Sequence, residues 1–168
     1  FMGKLDQAYG HKPGAEAVEF YDNWADSYDE ELGAKGYVTP QRCADALIAM
    51  GADPAQPILD IGCGTGVSGA ALAAAGFTTI DGVDPSPEML ARAREKSIYR
   101  ALREIDPLAP LVAPEGAYVN AMAAGVLSPG LAPLLVWNTL SIIAVQRMSV
   151  MLWSLVPGAV AACEQEAQ

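Results

Sequence analysis

The sequence predicts an α/β domain: a doubly wound, mainly parallel sheet with helices ahead of it at the N-terminus. Three observations predict it. From residue 58 onward, short apolar runs alternate with segments of helical periodicity, the pattern of strands joined by crossover helices. The first run, Ile58-Leu59-Asp60-Ile61, passes into a glycine turn, Gly62-Cys63-Gly64-Thr65-Gly66, and then into an alanine-rich helix. The second run, Thr78 to Asp84, ends on an acid, and Ser86-Pro87 behind it starts another helix.

The 168 residues suffice for one core. Residues 1–52 read as a helical cap region and 53–168 as the sheet domain, with 131–168 diverging in character. In order, residues 16–32 carry Val18, Tyr21, Ala25, Tyr28 and Leu32 at helical steps, with Gly33 and Gly36 as the stop. Thr39-Pro40 reads as an N-cap and first helical position, opening a helix to about Met50. The helix after the glycine turn runs to Ala75 and is capped by Gly76. The helix from Ser86-Pro87 runs through Lys96. Ile98–Ile105 and Tyr118–Leu127 read as the third and fourth strands, residues 134–155 as a helix, and Ala159–Cys163 as a fifth strand.

Net charge is −10, which disfavours nucleic-acid binding and a polybasic membrane anchor. Charge is uneven: 26 of the 30 charged residues lie in 1–106. The apolar stretch 134–155 is long enough for a span by length. Arg147 near its middle would cost about 2.5–3.5 kcal/mol on insertion scales, so a buried helix, or a tail that does not belong to the ancestral frame, is the better reading. The cysteines are Cys43, Cys63 and Cys163, without a CxxC pair, and the only histidine is His11. A disulfide framework, a zinc site and a Ser-His-Asp triad are therefore disfavoured, and a reducing, cytoplasmic setting is expected.

The ligand follows from the turn. Dinucleotide binding asks for GxGxxG, whose third glycine would stand at Val67; here the glycines are 62, 64 and 66. Asp60, two residues ahead of Gly62, would repel a pyrophosphate and attract an ammonium or sulfonium. Asp84, 22 residues after Gly62, is placed to accept the two hydroxyls of a ribose. Pro85 to Leu90 then begins a helix whose first turn can cover an adenine edge. An adenosine bearing a cationic amino-acid arm meets these demands, and S-adenosylmethionine is such a molecule.

Residues 57–96 resemble the first two motifs of class I S-adenosylmethionine-dependent methyltransferases, and Tyr21-Asp22-Asn23-Trp24-Ala25-Asp26-Ser27-Tyr28-Asp29 is similar to the YDxWAxxYD opening of small-molecule members, the Williams–Beuren-region methyltransferase-like group among them. The resemblance covers roughly residues 16–130. It implies a Rossmann-like fold and methyl transfer to a small-molecule acceptor. By it, Asp60 holds the methionine ammonium and the backbone of Gly62, Cys63, Gly64 and Gly66 lines the methionine arm. Asp84 binds the ribose, Pro85 and Met89 pack near the adenine, and Asp106 approaches the adenine amino group unless it serves only its own turn before Pro107. Tyr21 and Tyr28 close over the cofactor or pack in a helix stripe. Backbone near Gly125 meets the ammonium from the fourth strand, where Val119 replaces the family's usual acid. Cys63 reads as a small loop residue, not a nucleophile. No catalytic residue is assigned; His11 and Tyr28 are the candidate bases. Val156-Pro157-Gly158 resembles the family's turn before its fifth strand, and the 168 residues are expected to lack the family's final strands. An open sheet edge would then invite a homodimer. The alternative function is a truncated or non-catalytic cofactor-binding module or partner subunit.

Overall fold

The computed structural model describes residues 4–7, 14–114, 116–126 and 150–153. Helices α1 (Lys4–Gln7), α2 (Ala15–Asp22), α3 (Tyr28–Ala34) and α4 (Thr39–Ala49) precede the sheet. There follow β1 (Ile58–Ile61), α5 (Val67–Ala74), β2 (Ile80–Asp84), α6 (Pro87–Glu95), β3 (Ala101–Glu104), β4 (Asn120–Ala124) and β5 (Val150–Trp153). All strand pairs are parallel, in the order β3-β2-β1-β4-β5. The order reverses between β1 and β4, and ligands of such sheets bind at the carboxyl ends beside that reversal.

Strand alternation divides the core in two. Ile58, Ile80 and Met122 join Cys43 and Leu47 of α4 and Leu72 of α5 in one cluster. Leu59, Ile61, Val83, Ala121 and Ala123 join Leu111 in the other. Every residue of β1 and β2 is buried, as expected of central parallel strands. β3, at one end of the sheet, exposes Arg103 and Glu104, charges that discourage edge pairing.

Several boundaries follow the sequence closely. Ser86 caps α6 by accepting the Met89 N–H at 3.1 Å. Helix α5 ends in a Schellman arrangement: Gly76, at φ 100°, sends its N–H to Ala73 O and Phe77 sends its own to Leu72 O. Thr39 is already helical, one residue ahead of its expected capping role, with Val38 at the cap.

Three expectations are corrected. The single helix over 16–32 is two helices, α2 and α3, with a turn between them. There the Asn23 side chain donates back to Glu19 O at 2.9 Å, and the Trp24 N–H turns to Tyr21 O. Trp24, in the turn between the two helices, is buried at 1% exposure in a cluster with Ala25 and Met89. The third strand is shorter than 98–105, because Ser97 leaves α6 at φ 55° and Tyr99 folds inward before pairing begins at Ala101. Lastly, Val150–Trp153 is a strand beside β4, not the end of a helix. A run of four apolar residues suits a buried parallel strand and a buried helix equally, so periodicity could not separate them. Residues 134–149, the expected strand 159–163, the Val156-Pro157-Gly158 turn, His11 and Cys163 lie outside the described residues. No helix among the described residues is long and apolar enough to cross a membrane.

Candidate functional site

The glycine turn, the end of β2 and the N-terminal helices meet at the carboxyl edge of β1 and β2. Parallel register sets Asp60 beside Gly82 and Ile61 beside Val83. The turn is then tied to β2 by N–H donors from Gly62 and Cys63, both to Val83 O, at 2.8 and 3.1 Å. Gly62, Gly64 and Gly66 all have positive φ, which L-residues with a Cβ rarely adopt.

Asp60 is fully buried, and its Oδ2 accepts from Ser68 Oγ at 2.6 Å and Tyr99 OH at 2.7 Å. Its Oδ1 has no hydrogen-bond partner among the described residues. Burial pushes this carboxyl up to about 6 against the pull of those two hydroxyls. Asp84 is also buried and closes the glycine turn from the other side. Its Oδ2 accepts the Gly64 N–H at 2.8 Å and its Oδ1 the Ser86 N–H at 2.9 Å. Burial pushes it to about 6 as well; those two N–H groups lower it and Asp22 raises it.

The N-terminal helices are fastened to both motif loops. Asp22, at the end of α2, bonds the Ser86 hydroxyl behind Asp84. Asp29, on α3, bonds the Thr65 hydroxyl inside the glycine turn and pairs with Lys96, whose ammonium also reaches Thr65 O. Tyr28 packs edge-on to Trp24 with centroids 4.7 Å apart. Burial, then Tyr21, Tyr37 and Asp84, hold its hydroxyl far above the usual range, so it stays protonated at neutral pH.

Of the expected site residues, Asp60, Gly62, Cys63, Gly64, Gly66, Asp84 and half-buried Pro85 come together here. Cys63 is 3% exposed, and burial beside Asp60 and Asp84 raises its thiol well above the ordinary range, against a nucleophilic role. Met89 is 1% exposed in the cluster with Trp24 and Ala25. Gly125, at φ 75°, follows β4; a Cβ there would stand 2.4 Å from Tyr37 OH, so the α3–α4 connection reaches the end of β4. Asp106 is exposed, and its Oδ1 accepts the Leu108 N–H at 2.8 Å, a turn aspartate's bond.

Tyr99 and Ser68 carry no sequence signal for the site, and Asp22, Asp29 and Thr65 stand inside the quoted motifs without having been assigned a role. For Tyr99 the available hint is Gly69, a glycine inside a helix that alanine would favour. Its missing side chain makes room for Tyr99: a Cβ on Gly69 would stand 2.3 Å from Tyr99 OH. Gly69→Ala therefore gains helix propensity but displaces that ring. Overpacking outweighs propensity, and the variant is expected to lose about 1–3 kcal/mol in urea denaturation; a gain in stability would show that the ring is not held there.

Residues 58–109 match the family model described as a methyltransferase domain. The chain is 37% identical over 136 residues to Methyltransferase-like protein 27 of Homo sapiens, covering 77% of this chain and 54% of that protein. It thus spans about half the length of the curated relative it matches. Among solved structures, a DhpI-SAM-HEP complex aligns with TM-score 0.65 at 16% identity, covering 99% of this chain and 73% of that one. SAM-bound CalS10, an amino pentose methyltransferase from Micromonospora echinaspora, aligns with TM-score 0.60 at 21% identity, over 75% of this chain and 56% of that one. A TehB-like SAM-dependent methyltransferase from Corynebacterium glutamicum aligns with TM-score 0.56 at 23% identity, over 77% and 71%. At these identities the structures establish the fold, while the motifs and the human relative establish the kinship. Residues 58–109 match a methyltransferase domain, and over most of its length the chain is similar in sequence or fold to S-adenosylmethionine-dependent methyltransferases of class I.

Proposed function

We propose that the chain binds S-adenosylmethionine and transfers its methyl group to a small-molecule acceptor. The observation that carries the reading is Asp60: a fully buried carboxylate beside the glycine turn, one oxygen held by two hydroxyls and the other without a partner among the described residues. An unpaired buried acid is costly unless a cation completes it, and the methionine ammonium is that cation. Asp84 accepts the ribose hydroxyls with lone pairs not used by Gly64 and Ser86. The turn from Gly62 to Gly66 lines the methionine arm, with Gly125 at its far side. Pro85 and the buried Met89 form the wall near the adenine, and Asp106 offers Oδ2 to the adenine amino group. Tyr28 covers the cofactor as part of the fastened α2–α3 cap.

S-adenosylmethionine supplies a methyl already activated by its sulfonium, attacked in line by an O, N, S or C atom of the acceptor. The residues of this chain then bind, orient and exclude water. The acceptor is taken as a small molecule because the Tyr21–Asp29 opening is of that type and the acidic surface disfavours nucleic acid.

Titration calorimetry with S-adenosylhomocysteine, with NAD as control, tests the reading. Saturable binding of the former alone is expected, and no binding by a folded sample would sink it. Binding without transfer to any acceptor would favour a non-catalytic cofactor-binding module. The pH dependence is specific. An ammonium and a ribose prefer ionised Asp60 and Asp84, both pushed up to about 6 in the ligand-free chain. Affinity should be full above that value and fall as pH drops through it, by about tenfold per pH unit per acid. A flat profile between pH 8 and 5 would remove Asp60 from the ammonium.

A further inference from the structure

Two hydroxyls crowd one oxygen of Asp60, and they arrive by different routes. Ser68 belongs to the first turn of α5, eight residues away. Tyr99 comes from beyond α6, 39 residues away, and lies outside the motif altogether. Its ring occupies a seat formed by missing side chains. A Cβ on Gly69 would stand 2.4 Å from its Cζ, one on Gly82 2.9 Å from its Cε1, and one on Gly66 3.2 Å from its Cε2. Its oxygen also accepts the Gly69 N–H at 3.1 Å. That N–H belongs to the first turn of α5, whose cap Gly66 has no side chain to satisfy it. Tyr99 OH therefore has a fixed acceptor role toward the helix and points its single proton at Asp60 Oδ2. Burial and then Asp60 raise its pKa far above the ordinary range, so the proton stays.

We propose that Tyr99 is a positioning residue for the amino-acid arm of the ligand. It locks the Asp60 carboxylate through Oδ2, so that Oδ1 is the oxygen reserved for the ammonium. The proposal rests on the cofactor reading above. It makes Tyr99 act through Asp60 alone, with no effect on the adenosine half. The hydroxyl favours the ionised carboxylate at Oδ2 while the ring holds the seat.

The test compares S-adenosylhomocysteine with 5′-methylthioadenosine, which keeps the adenosine and thioether but lacks the amino acid. Tyr99→Phe keeps the ring and removes the proton. It should weaken S-adenosylhomocysteine about tenfold, the worth of a charge-assisted hydrogen bond, and leave 5′-methylthioadenosine within about twofold. The midpoint of the pH profile should rise from near 6 by roughly one unit. Ser68→Ala, removing the other donor, should give the same split. Tyr118→Phe removes a hydroxyl bonded at 2.8 Å to a different buried acid, Asp81, and should change neither ligand. Equal loss for both ligands, or an unmoved pH midpoint, would reduce Tyr99 to a structural role and overturn the proposal. Failure of the unmodified chain to bind S-adenosylhomocysteine would overturn the cofactor reading first, and the proposal with it. Should Tyr99→Phe not fold, the 13Cζ resonance of Tyr99 in the unmodified chain decides. It should titrate with Asp60 near pH 6 and cease to do so when S-adenosylhomocysteine is bound; a resonance insensitive to both would refute the coupling.

Discussion

Asp60→Asn is expected to lower the affinity for S-adenosylhomocysteine about 100-fold while making the ligand-free chain more stable. The two effects have one cause. The native carboxylate is fully buried with an unpartnered oxygen, and burial raises it from 3.8 to about 6. A raised carboxyl contributes stability that is present below its unfolded value and lost as pH rises through its folded value. For Asp60 the loss therefore runs from about pH 4 to somewhat above 6, and at pH 8 the ionised group costs about 3 kcal/mol relative to the protonated one. Asparagine stays neutral at every pH and can still accept from Ser68 and Tyr99. Its amide nitrogen, placed at Oδ1, lacks an acceptor and returns about 1–2 kcal/mol of that gain. The net is about 1 kcal/mol at pH 8, a few degrees in melting temperature, shrinking to nothing or reversing near pH 4.5. Binding moves the other way, because the ammonium loses a full charge in a low-dielectric site, about 3 kcal/mol. Urea denaturation at the two pH values and calorimetric titration measure both halves. A variant that bound S-adenosylhomocysteine like the unmodified chain would take the ammonium away from Asp60. A variant less stable at pH 8 would mean that the carboxylate is needed by the fold, not by a ligand.

The parts of this site that the sequence displays are those carried by a few adjacent residues. Asp60, the three glycines and Asp84 stand at strand ends, where chain direction alone decides what they face, so the reversed parallel sheet and its glycine turn are readable before any contact is known. Asp22, Asp29 and Tyr99 reach their partners across 64, 36 and 39 residues, and no local pattern encodes such a meeting. Trp24 shows the same limit within one element. Its neighbours repeat at helical steps, yet the helix breaks at the buried indole, and tertiary packing overrides periodicity. At Val150–Trp153 the ambiguity is intrinsic, since the residues that suit a buried strand also suit a buried helix. Gly69 is the instructive case. It breaks helix preference for a reason visible only when Tyr99 is in place, so a locally unfavourable residue marked a long-range contact.

Gly62→Ala should be the most damaging of the small substitutions, and a second variant can separate its two costs. Gly62 sits at φ 66°, and its Cβ would stand 2.3 Å from Val126 Cγ2 and 3.1 Å from Cγ1. The turn cannot retreat, because the Gly62 and Cys63 N–H groups are both bound to Val83 O. A left-handed conformation costs an L-residue about 1–2 kcal/mol, and forcing extra carbon into packed space about 1–3 kcal/mol. Together they amount to about 2–5 kcal/mol, a large share of a small domain's stability. Adding Val126→Ala removes the colliding methyls but leaves the backbone strained. The double variant should therefore recover roughly half the loss, less the cost of the trimmed valine, and show a coupling of about 1–2 kcal/mol in a double-mutant cycle. Gly64→Ala supplies the contrast. Its φ is 52°, but its Cβ would meet nothing within 4 Å, so only the backbone cost applies, about 1–2 kcal/mol. If that open space holds the methionine arm, Gly64→Ala folds yet loses S-adenosylhomocysteine affinity by more than tenfold. Gly62→Ala loses stability first, and binding follows from it. Equal stability losses at the two positions, with no coupling to Val126, would mean that backbone strain alone governs the turn and that the close approach of β4 does not shape it.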